Sequence, residues 1–211
     1  MAGVTIDELL IADPPEAWAT AGFTVEDGVC RVGTVRLRLV GRDGELGDRY
    51  GLIGWTLRDV PSDHEEVDGV PTTRSESDLV TGAAHLNGVT VIDHVVLMSP
   101  DLGRTVVALA GLGLQPRRER DGELGGRAIR QVFYRLGDVI LELVGAPDAA
   151  GDGPAGLWGI TFTVADLDAT AAYFAELASP VKDAVQPGRR ITTLRHRELD
   201  LSVRCALISG R

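Results

Sequence analysis

Four patterns of apolar and polar positions occur twice along the chain, in the same order. TIDELLIADPP at 5–15 and VIDHVVLMSPD at 91–101 are short apolar runs after Ile-Asp that end at proline. Each leads into a stretch closing on glycine, PPEAWATAGF and DLGRTVVALAGLGL. CRVGTVRLRLVG at 30–41 then matches YRLGDVILELVG at 134–145, and GLIGWTLRDV at 51–60 matches GLWGITFTVADL at 156–167. Ordered self-similarity of this kind is the mark of an internal duplication.

The rear copy is the fuller one. Residues 91–98 are apolar and β-branched, which predicts a strand. DLGRTVVALAGLG opens on a capping Asp and ends at Gly, which predicts a helix. AIRQVFYRLGDVILELVG predicts two strands around a Gly137-Asp138 hairpin turn. A second unit follows: LWGITFTV, the helix DLDATAAYFAEL, and strands within ITTLRHREL and LSVRCALIS. The expected fold is α+β, with paired βαβββ modules over 89–211 forming one cupped mixed sheet. Residues 1–60 are expected to be an abridged module of the same kind, serving as scaffold. Residues 61–88, polar, acidic and rich in Gly, Pro, Ser and Thr, are expected to be a linker or long loop.

Strand side chains alternate faces. His94 therefore shares a face with Val96 and Met98, and Glu142 with Ile140 and Val144. Across the hairpin, Phe133 falls opposite Glu142, Arg135 opposite Ile140 and Gln131 opposite Val144. In the second unit Gly159, Thr161 and Thr163 share a face. The cup lining is thus expected to hold His94, Met98, Gln131, Phe133, Arg135, Glu142, Thr161 and Thr163: apolar walls with a few polar groups, as small-molecule sites usually have.

Composition narrows the partners. The formal net charge of −10 argues against nucleic acid, which needs a positive surface. The acidity sits at the front: residues 1–88 carry 7 Arg against 16 Asp plus Glu, the rest 14 Lys plus Arg against 15 acids. No apolar run is long enough to cross a bilayer. MAGVTIDELL lacks the basic region of a secretory signal, so a cytoplasmic protein is expected. Cys30 and Cys205, two cysteines far apart in sequence, make no disulfide framework and no metal-type spacing, and read as buried thiols. The cluster Arg189, Arg190, Arg195, His196 and Arg197 suits an anionic ligand or a solvated face. Trp18, Trp55 and Trp158 read as core.

Paired βαβββ units with DHVVL in the first strand and LELV in the fourth resemble the vicinal oxygen chelate superfamily. It includes glyoxalase I, extradiol dioxygenases, methylmalonyl-CoA epimerase and bleomycin-resistance proteins. The resemblance covers 89–211 well and 1–60 faintly. It implies a cup in which the first and fourth strands of each unit supply ligands to a divalent metal. His94 and Glu142 match two of those positions. Gly159 stands where the second unit's first ligand belongs, and LSVRCALIS offers Ser202 or nothing for its last. A stable divalent site wants roughly three protein ligands or more, so no metal is expected, though a divalent ion held by His94 and Glu142 is possible. The pair can also be read as a catalytic acid–base couple, a carboxylate favouring the charged imidazole, or as two mutually satisfied polar groups.

Two functions follow from the resemblance. One is a glyoxalase-like lyase, isomerase or dioxygenase acting on a small oxygenated metabolite. The other is a non-catalytic, metal-free protein that sequesters a small molecule, as antibiotic-resistance members do. Either would work as a monomer or homodimer on a small-molecule ligand, which the arginines allow to be anionic. In the front copy, Glu8 replaces His94 and Arg38 replaces Glu142, which predicts an ion pair where the rear copy has its candidate site.

Overall fold

The computed structural model describes residues 3–42 and 50–210. The few remaining residues of the front module, and Arg211 of the rear one, lie outside the described residues. The front half opens with β1 (Thr5–Ile11), α1 (Pro15–Thr20), β2 (Val25–Glu26), β3 (Val29–Val32) and β4 (Val35–Leu39). It continues with β5 (Leu52–Arg58), β6 (Glu66–Val67) and β7 (Val70–Arg74). The rear half comprises β8 (Val89–Met98), α2 (Leu102–Gly111), β9 (Arg118–Leu124), β10 (Arg127–Leu136) and β11 (Val139–Gly145). Its second unit is β12 (Gly156–Val164), α3 (Leu167–Phe174), β13 (Lys182–Asp183), β14 (Arg190–Thr193) and β15 (Arg204–Ser209).

Each half forms one mixed sheet. The front order is β2-β3-β4-β1-β5-β7-β6, and the rear order β13-β14-β15-β12-β8-β11-β10-β9. The same rule builds both. The first and last strands of a unit pair in parallel: β1 with β4, β5 with β7, β8 with β11, β12 with β15. The two first strands of each half then join antiparallel at the centre. This is the paired βαβββ arrangement. Side-chain caps fix the rear helices: Asp101 accepts from the Arg104 amide at 3.0 Å, and Asp166 from Asp168 and Ala169 at 3.0 Å.

Residues 61–88 depart from a plain linker. Asp68 and Gly69 adopt φ of 50° and 84°, the left-handed pair a type I′ turn requires, and so fold β6 onto β7. β7 then supplies the last strand of the abridged front unit. Trp55 Nε1 donates to Thr72 Oγ1 at 2.7 Å, tying β5 to β7. Further along, the Asn87 side chain donates to the Ala21 carbonyl at 2.9 Å and accepts from the Val89 amide at 3.1 Å, docking the connection onto the front half.

The two halves share one continuous apolar core. Trp18 and Phe23 of the front lie with ring centroids 6.3 and 5.4 Å from Phe162 of the rear, on the face of β12 away from the cup. Full burial of one such ring contributes roughly 1.5–3 kcal/mol. Cys30 and Cys205 are buried free thiols, and burial pushes the Cys30 thiol up to about 12. No helix among the described residues is long and apolar enough to cross a membrane.

Gly54 and Gly159 occupy equivalent places in the two sheets. A Cβ on Gly54 would lie 3.0 Å from the Pro71 carbonyl oxygen of β7, and one on Gly159 would lie 2.8 Å from the Arg204 carbonyl oxygen of β15. Both first strands lie close against their parallel partner here, so the space a side chain would need is filled by backbone.

Candidate functional site

β8 carries a bulge that alternation alone does not foresee. Thr161 pairs with His94 and Phe162 with Ile92, leaving Asp93 as the extra residue. Bulges redirect side chains, and here the consequence is chemical. The Asp93 carboxylate lies beside its own neighbour, with His94 Nδ1 2.8 Å from Oδ1. Its other oxygen accepts from the Arg189 guanidinium at 2.6 Å, both side chains being more than nine-tenths buried. Burial opposes the charge on Asp93, but the hydrogen bonds and charges of His94 and Arg189 outweigh it and hold the carboxyl down at about 2. Arg189 is fixed in turn by the Ser209 carbonyl at 2.8 Å.

An ionised Asp93 can only accept, so His94 Nδ1 carries a proton. Nε2 is left facing the cup, 3.5 Å from Glu142 Oε2. Glu142 is oriented from the other side: Gln131 Nε2 donates to its Oε1, and the Gln131 carbonyl accepts from Arg120 Nε at 2.8 Å. A continuous polar chain thus crosses the sheet: Arg189, Asp93, His94, Glu142, Gln131, Arg120. With a neutral imidazole, the two facing atoms of the central pair would both be acceptors. They need a proton between them, or a donor group inserted from a ligand.

The other expected lining residues sort along this chain. Thr161 is buried opposite His94, and Thr163 lies 3.5 Å from an Arg189 nitrogen. Phe133 pairs with Glu142 and carries Arg118 and Arg120 over its ring, each 5.9 Å from the centroid. Arg135 is exposed and lies 3.6 Å from Asp138, at the edge of the cup rather than beside the central pair. Met98 ends β8 on the same face as His94, two alternations away. Two hollows lie along this sheet, lined by neighbours of the pair rather than by His94 or Glu142. One of about 350 Å³ lies between Phe133, Ile140 and the arginines of β9 on one side and Val185–Pro187 on the other. The second, about 300 Å³, is lined by Val96, Gly159, Thr161, Trp158 and Arg204.

One reading needs correction, and two that were left open resolve. Trp158 is not core: β12 bulges there, and the ring is 43% exposed with the Arg204 guanidinium 4.8 Å from its centroid. Ser202 is not a cup residue; it precedes β15 and binds the Gly51 amide at 2.6 Å, while the register puts Ala206 where Glu142 has its counterpart. The arginines of 189–197 do not gather round one anion. Arg189 is spent on Asp93, Arg190 on Asp168 at 2.7 Å and Arg195 on Glu198 at 3.4 Å.

The fit to a divalent metal can be judged from these donors. His94 Nε2 and Glu142 Oε2 face each other, Gly159 and Ala206 offer no side-chain donor, and the Gln131 oxygen is occupied by Arg120. Among the described residues, no three of His, Cys, Asp and Glu converge as a metal-binding group. The donor set falls short of the roughly three ligands a stable site wants.

No family model matches the chain, and no curated protein matches its sequence. Solved structures do match. A mutant of 4-hydroxymandelate synthase from Streptomyces coelicolor aligns over 99% of this chain and 93% of its own, with TM-score 0.64 and 14% identity. A catechol 2,3-dioxygenase aligns over 99% and 94%, with TM-score 0.59 and 13% identity. A fusion of a xylose isomerase-like TIM barrel with 4-hydroxyphenylpyruvate dioxygenase aligns over 99% of this chain and 49% of its own, with TM-score 0.60 and 14% identity. The fold is that of the vicinal oxygen chelate superfamily. At these identities the likeness speaks to fold, since members of one fold differ in chemistry.

Proposed function

We propose that the rear cup is an acid–base site which moves a proton on a small oxygenated metabolite, in a reaction of glyoxalase-like lyase or isomerase type. The observation that carries this reading is the approach of His94 Nε2 to Glu142 Oε2 at 3.5 Å, with each side chain oriented by its own partner. Glu142 is the general base. It takes a proton from a carbon beside a carbonyl, and the electron pair of the broken C–H bond moves onto the carbonyl oxygen. Protonated His94 donates from Nε2 to that oxygen as its charge develops. Asp93 acts through His94 by fixing the ring and its Nδ1 proton, and is a positioning residue. A positioned acid–base group contributes about 10²–10⁴-fold in rate. A dioxygenase reaction of the kind named for the structural neighbours is less well supported, because the donor set does not suit a divalent ion.

A second reading is favoured by a specific observation. Gly159 and Ala206 leave half of the family's ligand positions without a donor, as suits a cup that binds without chemistry. Glu142→Gln separates the two, since it keeps shape and removes the base. The enzyme reading expects ligand affinity within a few-fold of wild type and turnover lowered by about 10²–10⁴. Changed affinity with no turnover to lose in the wild type would leave the binding reading standing. Metal analysis of unsupplemented protein completes the test: a stoichiometric divalent ion on His94, Glu142 and a third side chain would overturn the metal-independent mechanism.

A further inference from the structure

We infer that the mouth of the rear cup is an oxyanion subsite, in which Arg118 and Arg120 above the Phe133 ring take the carboxylate or phosphate of a ligand with a flat apolar body. Most arginines in this chain are paired with carboxylates of the chain itself, Arg36, Arg58, Arg104, Arg130 and Arg190 among them. Arg117, Arg118 and Arg120 have no carboxylate within ion-pair distance among the described residues. The acids of β9 do not neutralise Arg118 or Arg120. Glu119, Asp121 and Glu123 alternate with Arg118 and Arg120 and so project from the other face, where Asp121 accepts from Arg130 at 2.8 Å.

The hollow beside these arginines has an apolar floor of Phe133 and Ile140, and Val185 and Pro187 cover it from the opposite end of the curled sheet. Unpaired guanidinium forks over an apolar floor suit an oxyanion attached to a ring or alkyl body. The cup already holds one arginine in place for this. Arg120 is anchored by the Gln131 carbonyl, leaving its remaining donors free. The pairing register places Arg118, Phe133 and Glu142 in one cross-strand row, about 10 Å from end strand to end strand at ordinary strand spacing. A ligand whose anionic end sits on Arg118 and Arg120 lays its body over Phe133 and points its other end at Glu142. Only this last clause rests on the proposed acid–base function; binding of the anion stands without it.

The test uses benzoate and phenyl phosphate as probes, with benzamide as the neutral analogue, titrated into the full chain and followed by NMR. At least one of the two anions should bind, at least about tenfold more tightly than benzamide, and the stronger of the two identifies the headgroup. Arg118→Gln with Arg120→Gln should remove that preference, and Arg190→Gln, on a surface pair with Asp168, should leave it intact. Thermal unfolding of each variant checks that the fold survives, and Arg118→Gln alone, at an exposed position, should still weaken binding several-fold. Glu142→Gln should leave anion binding within a few-fold, so a failed catalytic reading does not disturb this result. Benzamide binding as tightly as the anions, neither anion binding, or anion binding that survives loss of both arginines would overturn the subsite.

Discussion

The front and rear sheets share a bulge and differ in what closes it. In β1 the register shifts between Ile6 and Glu8, so Asp7 is the extra residue, just as Asp93 is in β8. Both carboxylates are buried. Asp7 accepts from Arg36, Arg58 and Ser75, and all of its capacity goes to holding β4, β5 and the chain after β7 together. Asp93 has a single guanidinium partner and turns its second oxygen to His94. One residue further on, the front pair is an ion pair closed on itself, Arg38 to Glu8 at 2.8 Å, whereas the rear pair approaches only to 3.5 Å. The fold supplies the bulge and an inward-facing pair twice. Whether the place becomes a joint or a site depends on whether arginine fills it.

The comparison can be broken most severely at Asp7. Asp7→Ala leaves the Arg36 and Arg58 guanidiniums together without their carboxylate. Breaking a buried pair from one side costs about 3–5 kcal/mol, and a loss in that range should appear as a lower urea midpoint. A loss under about 1 kcal/mol would show that the front cluster is not a joint at all.

Arg189→Met is the corresponding cut in the rear, and should cost somewhat less, about 2–4 kcal/mol, because His94 still partners Asp93. Its signature is also a pH effect. Asp93 is held at about 2 in the folded chain, below the ordinary 3.8. A depressed carboxyl stabilises the fold above its unfolded value and loses that contribution as pH falls through the folded value. The stability gap between wild type and Asp93→Asn should therefore close as pH falls from about 4 to 2. Urea titrations across that range showing an unchanged gap would remove Asp93 from its charged role.

Much of this architecture was legible in the repeats, and what was missed has definite causes. Alternation put Glu142, Gln131 and Phe133 on one face, and the observed pairing of Phe133 with Glu142 and Gln131 with Val144 follows that register. Asp93 drew no reading at all, because a bulge breaks the period of two and leaves little trace in VIDHVVLM. β9 went unread since RERDGEL has no apolar face to alternate, and with it went Arg118 and Arg120. The β6–β7 hairpin did leave a signal, Asp68-Gly69 between two valines, masked by the polar composition around it. Arg189 was visible only as one of several arginines; its buried partner lies 96 residues away in sequence.

The smallest effect expected is at the front pair itself, and it sharpens the contrast with the rear. Arg38 donates to Glu8 at 2.9 Å, but the Arg38 side chain is 45% exposed while that of Glu8 is 15% exposed. Water already reaches much of the Arg38 guanidinium. Glu8 contributes to raising the Arg38 pKa, through their hydrogen bond first, yet a guanidinium is charged at any working pH, so no pH dependence follows from it. Arg38→Ala should then cost no more than about 1 kcal/mol, the range of exposed ion pairs. It should also leave any activity and any ligand affinity of the rear cup unchanged. The same urea titration read beside Asp7→Ala measures the first point, and a ligand titration the second. A loss of several kcal/mol would mean that the front pair is as much a joint as Asp7. A change in the rear cup would mean that the two sheets, joined through Trp18, Phe23 and Phe162, pass strain from one inner face to the other.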